Sequence, residues 1–273
     1  MISKVDLIEM LVNKISASSS EIKQQWNHPE GTNTKHFIID NLLPDSICHS
    51  IYSAFPRDGS GFFNRDSFRE KKKTSADLGS YDPILAEITY ALQDPKIVEL
   101  ISKIINFPQL EPDPKLYAGG LSMMFQDDFL NPHLDNSHDG ERSRFRRLNL
   151  LYYVTPDWKI ENGGNLELWD DSRLIPKTIF AKTNRLAVME TNKNSWHSVS
   201  PVKVPQPRCC VSNYYFSKIS PDSTDYFHVT SFTGRPGEVF RRVIGVVDNS
   251  LRNSVSKIVK TGRGKNLVNK DKG

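Results

Sequence analysis

Cysteine, long apolar runs and strong net charge are all scarce in this 273-residue chain. The three cysteines, Cys48, Cys209 and Cys210, cannot build a disulfide framework, and the adjacent pair is poorly placed to bond with itself. No run approaches the roughly 18 apolar residues of a membrane span, and charged residues interrupt 1–14, where a signal peptide needs an apolar stretch. We therefore expect a reduced, cytoplasmic protein without a membrane span.

The net charge is also too small to indicate a nucleic-acid partner. Lys and Arg number 36 against 32 Asp and Glu, a formal charge of +4. Nine basic and three acidic residues fall in 238–273, so the basicity belongs to the tail and the rest of the chain is slightly acidic. Binding to phosphates needs basic residues clustered on one surface. We expect no nucleic acid.

No GxGxxG motif, Walker A loop or internal repeat is present, and the order of elements places helices before strands. Helical spacing of apolar residues predicts a first helix from Ser3 that ends in the polar stretch 16–20, and later helices at 44–55, 84–92 and 95–104. Strand-like runs are 36–43, 116–125, 147–154, 165–169, 178–181, 185–190 and 209–217. This order favours a mainly antiparallel sheet or barrel with helices on one side.

The segment 57–76 has neither a helical nor a strand period, and it contains the run Lys71-Lys72-Lys73. We interpret it as a long loop or hairpin, which either serves as a lid or is only a flexible part of the surface.

Two metal-capable side chains stand two residues apart in His133-Leu134-Asp135, so an extended backbone places both on one face. His197 lies on a later predicted strand. Two imidazoles and one carboxylate form the facial ligand set of non-haem Fe(II) sites. A His-x-Asp pair alone is common by chance and a lone histidine is more often structural, so the neighbouring motifs decide.

Two further predicted strands bring polar groups to this region. The strand that begins at Arg208 places Arg208 and Tyr214 on one face, and a guanidinium is a rigid fork for a carboxylate. Along 147–154, alternation places Asn149, Leu151 and Tyr153 on one face. Together they suit a small dicarboxylate beside a metal, whereas Arg208 taken alone would be an ordinary surface arginine.

In order, these motifs resemble the Fe(II)- and 2-oxoglutarate-dependent oxygenases, specifically the prolyl 4-hydroxylase-like branch that includes the oxygen-sensing prolyl hydroxylases. The resemblance covers about 116–217. The matching residues are Asn131-Pro132-His133-Leu134-Asp135-Asn136, the run from Leu151 to Trp158, Gly163-Gly164-Asn165-Leu166-Glu167-Leu168, His197 and Arg208.

The resemblance implies an α+β, mainly β chain folded as a double-stranded β-helix, a jelly-roll or cupin-like barrel with N-terminal buttressing helices. It implies that Fe(II) is held by the catalytic residues His133, Asp135 and His197. It also implies that 2-oxoglutarate pairs its far carboxylate with Arg208 and Tyr153. The other cofactor-binding positions are Asn149, Leu151, Leu166, Val199 and Tyr214. Dioxygen is the second cosubstrate, and ascorbate is a supporting reductant.

The implied activity is hydroxylation of an unactivated C–H bond, coupled to decarboxylation of 2-oxoglutarate to succinate and CO₂. Because no targeting or recognition module is evident, we favour a small-molecule substrate such as an amino acid, a sugar or a metabolite scaffold. The alternative substrate is a peptidyl proline in a protein. The alternative class is a catalytically silent binding module that keeps the fold.

Two basic regions have open interpretations. Arg142, Arg144, Arg146 and Arg147 follow the metal motif, and we interpret them as a solvated face, with a site for an acidic substrate as the alternative. Residues 238–259 are typical of a basic amphipathic helix. We expect this helix to cover the parent domain or make a homodimer contact, with docking to a partner or a membrane surface as the alternatives.

We therefore divide the chain into three parts. Residues 1–115 carry the helices, the opening strand and the candidate lid packed on the barrel. Residues 116–220 form the catalytic barrel, and 221–273 form a C-terminal extension with the basic helix and a frayed tail.

Overall fold

The computed structural model describes residues 2–107, 109–170, 172–222 and 224–238. The helices there are α1 (Lys4–Ala17), α2 (Ser19–Asn27), α3 (Asp45–Ser53), α4 (Pro83–Ala91) and α5 (Pro95–Ile104). The strands there are β1 (His36–Asp40), β2 (Phe63–Asp66), β3 (Glu70–Ser75), β4 (Gly120–Met124), β5 (Phe129–Leu134), β6 (Phe145–Tyr153), β7 (Leu166–Trp169), β8 (Pro176–Ile179), β9 (Arg185–Glu190), β10 (His197–Val199), β11 (Arg208–Ser217) and β12 (Ser231–Phe232). From residue 239 on, the predicted basic helix lies outside the described residues, so the homodimer contact stays a prediction.

Local sequence signals explain where the helices begin. Ser3 and Asp6 form a reciprocal capping box at the start of α1. The helices α4 and α5 each begin with proline in the first turn, behind the capping carboxylates of Asp82 and Asp94. The expected end of helix at 16–20 is only a break, because α2 follows at once and buries Ile22. Within the described ranges, no helix has the length and apolarity needed to cross a bilayer.

The strands form one strongly curled antiparallel sheet. Neighbouring strands run in the order β1-β9-β6-β11-β4-β3-β5-β10-β7-β8, with β2 added to β3 and β12 added to β5. Every pairing between these strands is antiparallel. This is the mainly antiparallel sheet with associated helices that the order of elements predicts.

Alternation along β6 divides the apolar residues into two cores. Leu148, Leu150 and Tyr152 belong to a large cluster shared with the helices. Tyr153 and the partly buried Leu151 belong to a smaller cluster with residues of β7, β9 and β10. Because successive side chains point to opposite faces, one strand both packs the helices and lines the interior of the curl. The candidate site lies on that interior face.

The segment 57–76 contains the hairpin of β2 and β3. Strand β3 pairs with β4 through Lys73, Thr74 and Ser75, and with β5 through Glu70 and Lys71. It is therefore an internal strand of the sheet, which the absence of a strand period had not indicated. The expected role as a lid stays a prediction.

A β-bulge in β6 changes which side chains face the interior. Tyr215 of β11 pairs with Leu148, but the next residue, Phe216, pairs with Arg146, so Arg147 is an extra residue on β6. An extra residue reverses the facing of the residues beyond it. Arg146 therefore joins the face that carries Asn149, the face toward the candidate site.

Candidate functional site

The three predicted metal ligands meet inside the curl. His133 on β5 lies directly across the ladder from His197 on β10, and their ring centroids are 4.1 Å apart. Asp135 follows the end of β5. One potential ligand atom from each of the three residues lies within 4.8 Å of the others. Two imidazoles and a carboxylate on one side of a common point are the donor set of a non-haem Fe(II) site, so the residues fit the metal.

The backbone orients both imidazoles. His133 Nδ1 lies 3.0 Å from the Asn131 carbonyl oxygen, and His197 Nδ1 lies 2.9 Å from that of Ser195. Because a carbonyl accepts, each Nδ1 carries the proton and donates, which leaves the Nε2 lone pair for a metal. Burial, followed by the neighbouring His133, lowers the pKa of His197 to about 4. The His197 ring is therefore neutral at pH 7, as a ligand must be.

A buried arginine holds the third ligand. Arg146 Nη1 lies 3.3 Å from Asp135 Oδ2, and the Arg146 side chain is only 3% exposed. Burial alone would raise the pKa of Asp135, but Arg146, His133 and His197 outweigh it and hold that pKa well below its usual range. Asp135 is therefore ionised.

The interpretation of the arginine-rich stretch as a solvated face is thus wrong for two of its members, because Arg146 and Arg147 are both buried. Arg147 Nη1 donates to the Ile219 carbonyl, and Arg147 Nη2 lies 3.8 Å from Glu190 Oε1. Regular alternation along β6 could not predict either position, because the bulge at Arg147 depends on the pairing with β11.

A second polar group lies on the same interior face, where β11 begins. Arg208 is 3% exposed. Its Nη1 donates to the Gly164 carbonyl at 3.2 Å, and its guanidinium carbon lies 5.3 Å from the Tyr153 ring centroid. Gly164 has φ +65°, and a Cβ there would approach Arg208 Cδ to 2.9 Å, so glycine suits this turn for two reasons.

Several buried polar atoms here lack a partner among the described residues, namely Arg208 Nε, the Tyr153 hydroxyl and Asn149 Oδ1. Buried polar groups are normally satisfied, so an unpaired set in one place indicates a polar ligand. Burial raises the pKa of Tyr153, so its hydroxyl keeps the proton that it would donate to a carboxylate. These residues fit 2-oxoglutarate.

One cavity joins the two groups. Most of the residues predicted from the sequence line it: His133, Asp135, Asn149, Leu151, Leu166, His197, Val199, Arg208 and Tyr214. Tyr153 is not a lining residue and lies beside Arg208 instead. The residues predicted from the sequence therefore lie together at one site.

The sequence pattern did not indicate that β3 contributes to this cavity. Lys72 and Thr74 line it, and Lys72 Nζ lies 3.2 Å from Glu70 Oε2. The only sequence signal is the spacing of two in Glu70, Lys72 and Thr74, which the run of three lysines conceals.

The chain beyond the barrel also reaches the metal site. Phe232 on β12 pairs with His133, and the two rings stack with centroids 5.2 Å apart and an interplanar angle of 19°. This segment lies outside the resemblance, which covers about 116–217. A strand of two residues carries no period that could have revealed it.

Comparison with known proteins agrees with the site. Residues 119–216 match the family model of the 2OG-Fe(II) oxygenase superfamily. The matched segment contains all three candidate metal ligands and Arg208. The resemblance inferred from the motifs is therefore confirmed for this segment, and the cofactors of that superfamily, Fe(II) and 2-oxoglutarate, fit the residues of the site. No curated protein matches the chain.

Solved structures share the fold at low sequence identity. A prolyl-4-hydroxylase from Pseudomonas putida is 14% identical with a TM-score of 0.54, covering 74% of this chain and 99% of that one. A prolyl 4-hydroxylase from Phytophthora capsici is 16% identical with a TM-score of 0.55, covering 93% and 78%. The non-heme alpha ketoglutarate dependent epimerase SnoN from nogalamycin biosynthesis is 12% identical with a TM-score of 0.50, covering 74% and 84%. These similarities confirm the double-stranded β-helix fold.

Proposed function

We propose that this protein is an Fe(II)- and 2-oxoglutarate-dependent dioxygenase that hydroxylates an unactivated C–H bond of a small molecule. The observation that carries the proposal is one cavity that holds two imidazoles and a carboxylate together with a buried arginine that has no carboxylate partner among the described residues. The first group suits iron, and the second suits the far carboxylate of the cosubstrate.

The residues have distinct roles in this proposal. His133, Asp135 and His197 hold the iron. Arg208 binds the far carboxylate of 2-oxoglutarate, and the Tyr153 hydroxyl donates a hydrogen bond to it. When bound, Fe(II) would activate dioxygen, the oxidant for C–H hydroxylation, and 2-oxoglutarate would supply two electrons and leave as succinate and CO₂.

The cavity walls have a separate task. Leu151, Leu166 and Val199 line the cavity, and each lies in or against the interior apolar cluster. Apolar walls exclude water and strengthen the electrostatic contacts to the cosubstrate. Asn149 and Tyr214 are the proposed polar positions that orient it.

The charged groups of β3 support a small-molecule substrate. Lys72 lines the cavity and pairs with Glu70, so charged anchors lie beside the metal site. Hydrogen bonding of β3 to both β4 and β5 makes this wall part of the sheet. A free amino acid or another polar metabolite suits such a site better than an extended peptide, which needs an open groove.

The test is turnover with defined products. Purified protein with Fe(II), 2-oxoglutarate, ascorbate and ¹⁸O₂ is supplied with a panel of amino acids, sugars, metabolite scaffolds and prolyl peptides. We expect one small molecule to stimulate succinate release and to gain one ¹⁸O atom by mass. If only a prolyl peptide gains oxygen, the substrate is a peptidyl proline and not a small molecule. Oxidation without oxygen gain would contradict hydroxylation, which matters because an epimerase shares this fold.

The competing hypothesis of a silent binding module is tested without substrate. Under anaerobic conditions, Fe(II) and 2-oxoglutarate should together give a weak charge-transfer absorbance that is lost in His133→Ala. If wild type shows neither this absorbance nor, once dioxygen is admitted, any succinate formation without substrate, the enzyme proposal is wrong.

A further inference from the structure

We infer that Arg146 is a positioning residue that fixes the Asp135 carboxylate for metal binding. This inference rests on the metal site proposed above. Arg146 does not line the cavity, so its effect passes through Asp135.

The surroundings of Arg146 leave its guanidinium little freedom. Its Nη1 lies 3.3 Å from Asp135 Oδ2, and its side chain is 3% exposed. The guanidinium carbon lies 4.2 Å from the Tyr214 ring centroid and 5.9 Å from that of Phe216. Two aromatic rings and an ion pair with Asp135 therefore restrict the guanidinium, although the ion pair lacks the geometry of a hydrogen bond.

The bulge at Arg147 explains how a charged residue comes to face the interior. It turns Arg146 to the face of Asn149, while Arg144 pairs with Asp139 at 2.9 Å and Glu111 at 3.2 Å and stays 20% exposed. Bulges next to functional sites commonly re-aim a side chain. Arg144 is thus a matched control on the same stretch of chain.

The ion pair with Arg146 restricts the Asp135 carboxylate, and a metal ligand needs a fixed orientation. Asp135 Oδ1 lies 3.6 Å from His133 Nε2, and Oδ2 lies 3.3 Å from Arg146 Nη1 and 3.8 Å from His197 Nε2. Groups that orient metal ligands commonly change metal affinity by about 10- to 100-fold when removed. A cation near the site also repels a divalent ion. The sign of the effect of removing Arg146 therefore decides between positioning and simple repulsion.

The first experiment measures Co(II) binding to metal-free protein by competition with a chromophoric chelator. We expect Arg146→Gln to weaken Co(II) binding by about 10- to 100-fold. Arg146→Lys should recover part of this loss, and Arg144→Gln should bind like wild type. Circular dichroism checks folding. Binding by Arg146→Gln as tight as wild type, or tighter, overturns the inference.

The second experiment replaces the side-chain carboxylate of Asp135 by a formate ion from solution. Asp135→Gly removes the ligand and keeps Arg146. Sodium formate, compared at matched ionic strength, should therefore raise the Co(II) affinity of this variant by about fivefold or more through a charge-assisted contact with Arg146. The Asp135→Gly, Arg146→Gln double variant should show no rescue. If the Gln variants do not fold, Arg146→Lys replaces them in both experiments, with weaker binding and weaker rescue expected.

The outcomes separate this inference from the proposed function. Equal formate rescue with and without the Arg146 guanidinium overturns the positioning role but leaves the metal site standing. Failure of wild type to bind Co(II) or Fe(II) overturns the metal site, and the inference with it.

Discussion

Two buried arginines on neighbouring strands face the interior of the curl, and they differ in what they touch. Arg146 on β6 pairs with Phe216, eight residues along β11 from Arg208. Arg146 has an internal carboxylate partner in Asp135, whereas Arg208 has none among the described residues and makes one hydrogen bond to a carbonyl. A buried cation that is already paired belongs to the folded framework, and one without a carboxylate is prepared for a ligand. Breaking the Asp135–Arg146 pair should therefore affect stability most, and substituting Arg208 should affect 2-oxoglutarate affinity most.

The largest expected effect is on stability at the Arg146 end. Asp135→Ala leaves the buried Arg146 cation without its partner, which should lower the free energy of unfolding of the metal-free protein by about 3–5 kcal/mol. The Asp135→Ala, Arg146→Met double variant removes both charges and should recover much of that loss. Urea denaturation at pH 7 measures all three proteins. Equal destabilisation of the single and double variants would show that the pairing does not matter.

The next effect is on ligand affinity at the Arg208 end. Arg208→Gln removes the charge that would meet a carboxylate, and it should weaken 2-oxoglutarate binding by about 2–4 kcal/mol, within the range for a buried charged partner. Its metal-free stability should change far less than that of Asp135→Ala. Isothermal titration with 2-oxoglutarate and Ni(II), under conditions without turnover, gives the affinity.

A matched arginine provides the control for this affinity. Arg185 forms a two-point contact with Asp40 at 2.6 and 2.9 Å, and neither residue lines the cavity. Arg185→Gln should bind 2-oxoglutarate like wild type. If Arg208→Gln retains wild-type affinity, the Arg208 guanidinium is not the cosubstrate site, and the contrast between the two arginines disappears.

A smaller effect at the Arg208 end comes from Tyr153. Tyr153→Phe removes a buried hydroxyl that has no partner among the described residues. The metal-free stability should therefore hardly change, but 2-oxoglutarate should bind about 3- to 10-fold more weakly through loss of one hydrogen bond of about 1 kcal/mol. Titration measures the loss of 2-oxoglutarate affinity, and urea denaturation measures the loss of unfolding free energy. A loss of affinity that exceeds the loss of stability identifies a ligand contact and not a structural one.

The sequence predicted the parts of the site that depend on local pattern. His133 and Asp135 stand at a strand spacing of two, Arg208 opens a strand after a proline-containing turn, and the strand predicted at 185–190 has the same bounds as β9. Local alternation on β6 also placed Asn149 and Leu151 on one face, and both line the cavity. These features need no knowledge of which strands pair.

The features that the sequence did not predict depend on pairing between distant segments. Arg146 faces the interior only because β6 carries an extra residue against β11. Lys72 lines the cavity only because β3 pairs with both β4 and β5. Phe232 stacks on His133 only because a two-residue strand adds to β5. Neither residue propensity nor sequence periodicity encodes which distant strands pair. The arginines were therefore interpreted as a solvated face, and β3 as part of a loop, because the strands that pair with these segments were unknown.

The smallest expected effect tests whether burial, and not pairing alone, gives Arg146 its importance. Asp40 pairs with Arg185 and Lys182, but its side chain is 34% exposed, so solvent screening should limit the loss in Asp40→Asn to about 1 kcal/mol or less. The hydrogen bond from Arg185, opposed by partial burial and aided by Lys182, lowers the pKa of Asp40 below 3.8. The stabilisation is therefore complete above the unfolded pKa and is lost as the pH falls through the lower folded pKa. The difference in unfolding free energy between wild type and Asp40→Asn should thus be constant near neutral pH and shrink in acid. If Asp40→Asn loses as much unfolding free energy at pH 7 as Asp135→Ala, solvent exposure does not explain the difference between the two ion pairs.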